Sequence, residues 1–242
     1  MSDTKASSAQ EALSEQSTLD MLKRERKAND AWHKLARNKM AVVGLVIVAF
    51  MVILAVFAPL LAPQNPDAID VTKSFLKPGA EGHILGTDAY GRDLLSRIIY
   101  GARISIFVAV GGSILGAIVG ILLGLVAGYF GGVVDSVIMR IMDGMMAFPF
   151  ILLALILMTI LGTGTINVIL AIGVSNVPSF ARVVRGQVHI VKNSEYCNAE
   201  RVLGASGSRI LFRHILMNSI SPIIVYFTLN VASAIISEAA LS

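Results

Sequence analysis

The sequence predicts an all-α protein integral to a membrane, and three observations carry that prediction. Hydrophobic residues make up 55% of the 242-residue chain, and Asp, Glu, Lys and Arg only 15%, where a soluble domain carries about 25% charge. The apolar residues gather into runs of about 20, the length at which a helix crosses a hydrocarbon core of about 30 Å. The charges gather between the runs, in positive excess in some intervals and balanced in another. The formal net charge of +4 therefore reports sidedness in a membrane and is no argument for nucleic acid. A single cysteine, Cys197, excludes an internal disulfide and any multi-cysteine metal site, and it reads as a small packed side chain.

Residues 1–39 form a basic tail. Its first 20 residues, MSDTKASSAQEALSEQSTLD, are polar and aperiodic, the composition of a disordered segment. They are no secretory signal, because the first apolar run begins only at Met40 and lasts 22 residues, against roughly 7–15 for a signal core. Five spans follow. The first is 40–61, stopped by Pro63 and Pro66, and the second is 104–130. The third, about 138–161, is apolar from Met145 and has a polar helical lead-in from Val133. The fourth is 166–184 and the fifth 222–241. Between the first two lies a segment, 62–103, with an interfacial helix. Its Leu94, Leu95, Ile98 and Ile99 share a face opposite Arg92, Asp93, Ser96 and Arg97.

The loops set the orientation. Residues 1–39 hold eight Lys or Arg, residues 62–103 hold five balanced by five acids, and residues 182–214 hold six against two Glu. Lys and Arg stay on the cytoplasmic side. The N-terminus and the 185–219 loop are therefore expected inside, and 62–103 and the C-terminal end outside. The chain stops at SEAALS with no polar tail, the pattern of a protein that continues further.

Span two carries Gly112, Gly116, Gly120, Gly124 and Gly128, one every four residues. Small residues at this spacing let helix backbones approach closely. Because four residues turn a helix by about 400°, the row drifts about 40° per step, which suits a helix that crosses more than one neighbour. Pro149 and Pro178 fall inside or at the edge of spans three and four and favour kinks.

The loop NAERVLGASGSRILFRHILMN, residues 198–218, is far longer than a turn needs to be. Tyr196, Ala199, Val202 and Leu203 share one helical face. Gly204 is placed to end that helix in the left-handed conformation, and Ser206 or Ser208 to cap a second one. The second helix has Ile210, Leu211, Ile215 and Leu216 as its apolar set, with Arg209, Arg213 and His214 between them. The pattern allows two readings: a membrane-surface elbow on anionic lipid, or a docking site for a cytosolic partner.

Several chemistries are excluded by residue type. GASGSRIL and GTGTINV lack the lysine of a phosphate-binding loop, so the chain has no ATPase of its own. His33, His83, His189 and His214 all lie outside the spans, and no Gly-x-Ser-x-Gly or His-Glu-x-x-His pattern is present. Within or near the spans, Arg140 and Asp143 are spaced to pair, or they serve an inner gate with Asp135. Asn176 and Asn230 either bond a neighbouring helix or line a pathway. Glu238, near the external end of span five, meets either a structural partner or a substrate amine. Asp88 and Arg92 read as a local cap.

The segment around Gly204 resembles the EAA loop of ABC-transporter permeases. In that family the pattern is Glu-Ala-Ala, three residues, Gly, then about a dozen residues to a proline. Aligned on Gly204, the triplet falls on Asn198, Ala199 and Glu200, and the proline on Met217. The chain keeps Ala199, Gly204 and Ala205 and departs at Asn198, Glu200 and Met217. LGTDAYGRDLLSRIIYGARIS (85–105), GLVAGYFGGVVDSVIMRIMDGMMAFP (124–149), ARVVRGQ and SEAALS are similar to stretches of the dipeptide/oligopeptide import group. The resemblance covers about residues 35–242 and is to the C-type permease subunit.

The resemblance implies a type I ABC importer transmembrane domain over 104–242, usually of six spans where this chain shows five. It implies a permease subunit, not an enzyme, that forms half of a pathway for peptides. The implied partners are a second permease subunit, two cytosolic ATPases that bind ATP and Mg, and an external substrate-binding protein. The chain itself would bind no cofactor. The implied location is a bacterial-type inner membrane. Coupling to the ATPases would run through Asn198, Ala199, Glu200, Arg201, Gly204, Ala205, Arg209, Arg213 and His214. Related permeases carry dipeptides, oligopeptides, nickel or glutathione-like peptides. The competing reading is a proton-coupled secondary transporter with Asp135, Asp143 and Glu238 as relay, which would have no use for a long hinged cytoplasmic loop.

Overall fold

The protein is described here by a computed structural model that covers residues 36–241 apart from the side chain of Arg201. The aperiodic tail expected over residues 1–20 lies outside the described residues. Two compact units divide the chain, Met1–Leu54 and Ala55–Ser242. In the first runs most of α1, Lys39–Val56, whose 18 residues have a mean hydropathy of 2.8 and rise about 27 Å. It is apolar on every side, and nearly all of its side chains are exposed, as lipid-facing side chains are. The apolar run expected to reach residue 61 is interrupted at Phe57, and a four-residue helix, α2, Ala58–Leu61, follows. The cause is Pro59, which has no N–H to continue the ladder.

Among the described residues the second unit also contains a short 3-10 turn, Val71–Lys73, and six longer helices: α3, Leu94–Phe130; α4, Gly132–Met146; α5, Phe150–Leu161; α6, Thr165–Lys192; α7, Glu195–Val202; and α8, Gly207–Leu241. Among the described residues there is no strand, only an isolated bridge between Thr87 and Asp93. Among the described residues four helices are long and apolar enough to cross a membrane, and α4 with α5 makes a fifth crossing if the bent pair counts as one.

α3 and α6 form the spine. They run parallel in constant register, Gly112 against Ile172, Gly116 against Asn176, Gly120 against Phe180, Gly124 against Ala181 and Val184, and Gly128 against Val188. The glycine row thus meets one neighbour along its whole length, not several. Its drift is matched because the opposing residues also recur every four positions, and two i+4 rows interleave when the helices wind about each other. A Cβ on Gly120 would stand 2.4 Å from Phe180 Cβ and 2.8 Å from the Val177 carbonyl oxygen.

α8 packs antiparallel across this pair. Near its start Ile210, Leu211, Ile215 and Ile223 join Leu125, Val184 and Val188 in one buried cluster. Near its other end Ala234 joins Val108, Ala109 and Ile172. Between them Phe180 packs edge-on against Tyr226, with ring centroids 4.9 Å apart.

The remaining differences from expectation have local causes. Span two starts at Leu94, so the interfacial helix is the first two turns of α3 itself. Its buried side is not the apolar one. Asp93 and Ser96 are buried with Ile99, while Ile98 is exposed, because Asp93 caps the helix by accepting from Ser96 N at 2.8 Å. α6 runs through Pro178 and on to Lys192, since Val184, Val188 and Val191 prolong its buried face. Span three is not one helix: α4 and α5 meet at 89°. Pro149 is the N-cap of α5, and the residue before a proline is driven out of the helical region.

Gly120→Ala is expected to destabilise the solubilised protein by about 1–3 kcal/mol through overpacking against backbone. Gly144→Ala, with nothing within 4 Å of its added Cβ, should be neutral or gain up to about 1 kcal/mol of helix propensity. Thermal unfolding of both variants in detergent checks the contrast.

Candidate functional site

The candidate site is the knuckle where α6, α7 and α8 meet. α6 ends at Lys192 and α7 begins at Glu195, with the Ser194 hydroxyl donating to the Val191 carbonyl at 2.6 Å. α7 then stops at Gly204, whose φ is +82°. There Leu203 N donates to Ala199 O at 3.0 Å and Ala205 N to Glu200 O at 3.0 Å. Nothing lies within 4 Å of a Cβ built on Gly204, so glycine is required there for its backbone conformation and not for space. Ser206 occupies the N-cap of α8, as its position suggested, but its side chain makes no capping bond and lies 3.4 Å from the Ser208 hydroxyl.

The knuckle is held from below. Cys197, Ile210, Leu211 and Ile215 are buried against Val188 and Val191. A Cβ on Gly207 would come within 2.7 Å of the Tyr129 hydroxyl, so α8 begins seated on the end of α3. Lys192 Nζ donates to the Tyr129 carbonyl and lies 5.5 Å from the centroid of that ring. The second helix expected over this loop is not separate, because α8 continues from it as a single 35-residue helix. Residues 210–215 form a wide π turn. Met217, where the resembling family has proline, leaves the ladder intact.

The outward side of the knuckle is apolar. Val202 is 88% and Leu203 82% exposed, and Tyr196, Ala199 and Phe212 are exposed beside them. Asn198, Gly204, Arg209 and Arg213 share the exposed surface, and Ala205 is half-buried. Glu200 and His214 are turned toward each other, with Oε1 and Nε2 3.7 Å apart, so they tie α7 to α8. Of Arg201 only the backbone is described, within α7.

Beside the knuckle α4 is fastened to α6. Arg185 donates from Nε and its second nitrogen to the Asp135 oxygens at 2.5 and 2.6 Å. Arg182 donates to Asp143 at 2.8 Å. The Arg140–Asp143 pair allowed by spacing is therefore not the one formed; Arg140 lies exposed beside Ser136, Val137 and Ile141. Arg182 also borders a cavity of about 440 Å³ with Ser179, Gln187 and Tyr226. Hydropathy alone gives Arg182, Arg185 and Gln187 no place on a helix at the end of span four. The 3.6-residue period, carried past the last strongly apolar turn, would have placed them on α6.

The three buried polar groups singled out from sequence behave differently. Asn230 donates to the Asn176 amide oxygen at 2.9 Å and accepts from the Ser113 hydroxyl at 3.0 Å. The two asparagines thus join α3, α6 and α8 and are buried, the helix-bonding alternative. Glu238 lies at the opposite end of α8, bordering a separate cavity of about 490 Å³.

At that end the 62–93 loop is internally bonded. Asp88 accepts from the amides of Tyr90 and Arg92 at 2.8 and 3.0 Å and from Arg92 Nε at 2.8 Å, the local cap expected. His83 Nδ1 donates to Asp93 at 3.0 Å, and the Ser96 hydroxyl donates to the same carboxylate at 2.7 Å. Burial pushes the Asp93 carboxyl up, but the Ser96 hydroxyl and amide, with His83, outweigh it and hold it below the usual carboxylate range.

A model of the binding-protein-dependent transport system inner membrane component matches residues 120–242. The chain belongs to that family. A second model, the N-terminal membrane domain of oligopeptide transport permease C, matches residues 28–78. The dipeptide transport system permease protein DppC of Alkalihalophilus pseudofirmus is 44% identical over 215 residues, which cover 88% of this chain and 69% of the relative. The oligopeptide permease protein OppC of Bacillus subtilis is 39% identical over 88% of this chain and 70% of its own. The glutathione permease protein GsiD of Shigella flexneri is 40% identical over 88% and 71%. The protein is thus a multi-pass permease subunit of the ABC importer class, with an all-helical type I domain.

Two outcomes are expected. Asp135→Ala should destabilise the solubilised protein by about 1–3 kcal/mol, between the values of surface and buried pairs. The exchange Asp135→Arg with Arg185→Asp should recover most of that loss in thermal unfolding. The depressed Asp93 carboxyl stabilises the 62–93 loop fully above the unfolded value of about 3.9 and loses that contribution as pH falls through its lower folded value. Hydrogen exchange of the loop amides should therefore quicken in acid beyond the intrinsic rate change, and less so in Asp93→Asn.

Proposed function

We propose that this chain is one permease subunit of an ATP-driven importer of peptides, coupled to its motor through the α7–Gly204–α8 knuckle. The observation that carries the reading is the exposed ridge of Tyr196, Ala199, Val202 and Leu203 on an element anchored from beneath. An apolar ridge of this kind, rimmed by Arg209 and Arg213, is covered in the working protein. An amphipathic helix laid in a groove is a common way to cover one. In the proposal the groove belongs to a cytosolic ATPase that binds ATP and Mg, and the arginines meet acidic residues at its rim. The chain contributes no nucleotide site of its own.

The same proposal sets the knuckle and the basic N-terminal tail in the cytoplasm, and the 62–93 loop outside. A second permease subunit completes the pathway, a second ATPase sits beneath it, and an external binding protein delivers the cargo. Closure of the ATPases on ATP draws the knuckles together and tilts the spans, a rigid-body form of alternating access. Peptides are the cargo because relatives across most of the chain are named as dipeptide, oligopeptide and glutathione permeases. A proton relay through Asp135, Asp143 and Glu238 is disfavoured because the first two are already paired with arginines of α6.

Gly204→Pro or Gly204→Asp should leave the permease inserted and reduce ATP-driven peptide uptake to background. Leu203→Asp should lower uptake at least tenfold and release the ATPases during purification of the complex. Uptake into proteoliposomes that depends on a proton gradient and not on ATP would overturn the reading, as would a labelling study that finds Cys substituted at Val202 accessible from outside.

A further inference from the structure

At the end of the bundle away from the knuckle, α3 and α8 border a cavity of about 490 Å³ that shares no lining residue with the one beside Arg182. Glu238 on α8 enters it with Arg97, Tyr100 and Ser105 on α3, and Asp67 from the 62–93 loop. Glu238 is 7% exposed, yet it has no hydrogen-bond or ion-pair partner among the described residues. Arg97, the cation bordering the same cavity, is turned to Asp88, with Nε 3.7 Å from Oδ2. Packing covers most of the side chain, and its unpaired carboxylate opens onto the cavity, where a cationic ligand could meet it. Deeper in the same two helices, the buried Ser113 hydroxyl and Asn230 amide are paired with each other.

We infer that Glu238 receives the ammonium group of the transported peptide at this cavity. The chemistry of the lining selects the ligand. Asp67 and Glu238 both line the site, and its one guanidinium is turned to Asp88, so the lining is short of positive charge. A metal ion is a poor fit, since among the described residues no three His, Cys, Asp or Glu side chains converge. A primary ammonium is satisfied by one carboxylate and a few neutral acceptors, for which the Tyr100 and Ser105 hydroxyls stand ready. The rest of the wall includes Ile104, Gly101 and Ala239, which offer no side-chain hydrogen bond and so no means of reading a particular residue. A site of that kind recognises the feature common to all peptides, the free amino terminus, and is indifferent to side chains. This inference rests on the peptide-import reading above.

The test uses the complete importer with its binding protein in proteoliposomes. Glu238 is modified with an apolar carbodiimide, and the modification is read by mass spectrometry in the presence of a dipeptide or of its N-acetylated form. The free-amine dipeptide should slow modification of Glu238 at least fivefold and the acetylated form less than twofold. In parallel, Glu238→Gln should raise the KM for free-amine dipeptide at least tenfold while its ratio to the KM for the acetylated form collapses toward one. Glu238→Asp should retain part of the preference. Equal protection by both peptides, no protection by either, or a carboxylate unreactive even without peptide would each overturn the inference. The last result would mean that a neighbouring polypeptide already fills the site. If the unmodified importer takes up no peptide at all, the reading of the cargo falls instead, and the uptake control separates that outcome from the others.

Discussion

Everything else in this bundle depends on backbone touching backbone between α3 and α6. In lipid there is no hydrophobic force to press two helices together, so association relies on close contact and on the few polar groups that can bond across it. Five glycines in an unbroken i+4 row let α6 come so close that a Cβ on any of them would lie 2.5–3.4 Å from an α6 carbonyl oxygen. α8 then lies across the pair and is secured at mid-depth by the Asn230 amide. α4 joins through two arginines of α6, not through apolar packing alone.

That spine explains why the knuckle can be both exposed and firm. α7 is only eight residues long, too short to hold a helix in isolation. It persists because Cys197 is buried beneath it, because Glu200 reaches His214 on the next helix, and because α8 starts hard against Tyr129. The residues that face outward, Val202 and Leu203 above all, contribute nothing to that anchoring. The division of labour is clean: one face of the loop builds the fold, and the other stays exposed.

Much of this was legible in the sequence because it rests on local rules. The glycine row, the left-handed stop at Gly204 and the buried set Ile210, Leu211 and Ile215 follow from residue type and period. What was not legible depends on tertiary partners. Asp143 could pair with Arg140 three residues away, and only the packing of α4 on α6 gives it Arg182 instead. Arg185, Gln187 and His189 look like loop by hydropathy, yet the valines spaced among them keep α6 helical to Lys192. Pro149 announced a kink, but that it would turn the chain through 89° depends on where α5 finds its neighbours. Glu238 was noticed for its charge; that it would stand without a partner beside an opening could be seen only in three dimensions.

The unbroken course of α8 has a mechanical consequence. From Gly207 to Asn230 the helix rises about 34 Å, and from Asn230 to Glu238 about 12 Å. With the amide bonds of Asn230 as fulcrum, the arm on the Gly207 side is nearly three times the longer. A shift of about 5 Å at Gly207 would therefore move Glu238 by less than 2 Å, and in the opposite direction. Such gearing trades distance for force at the Glu238 end of the helix.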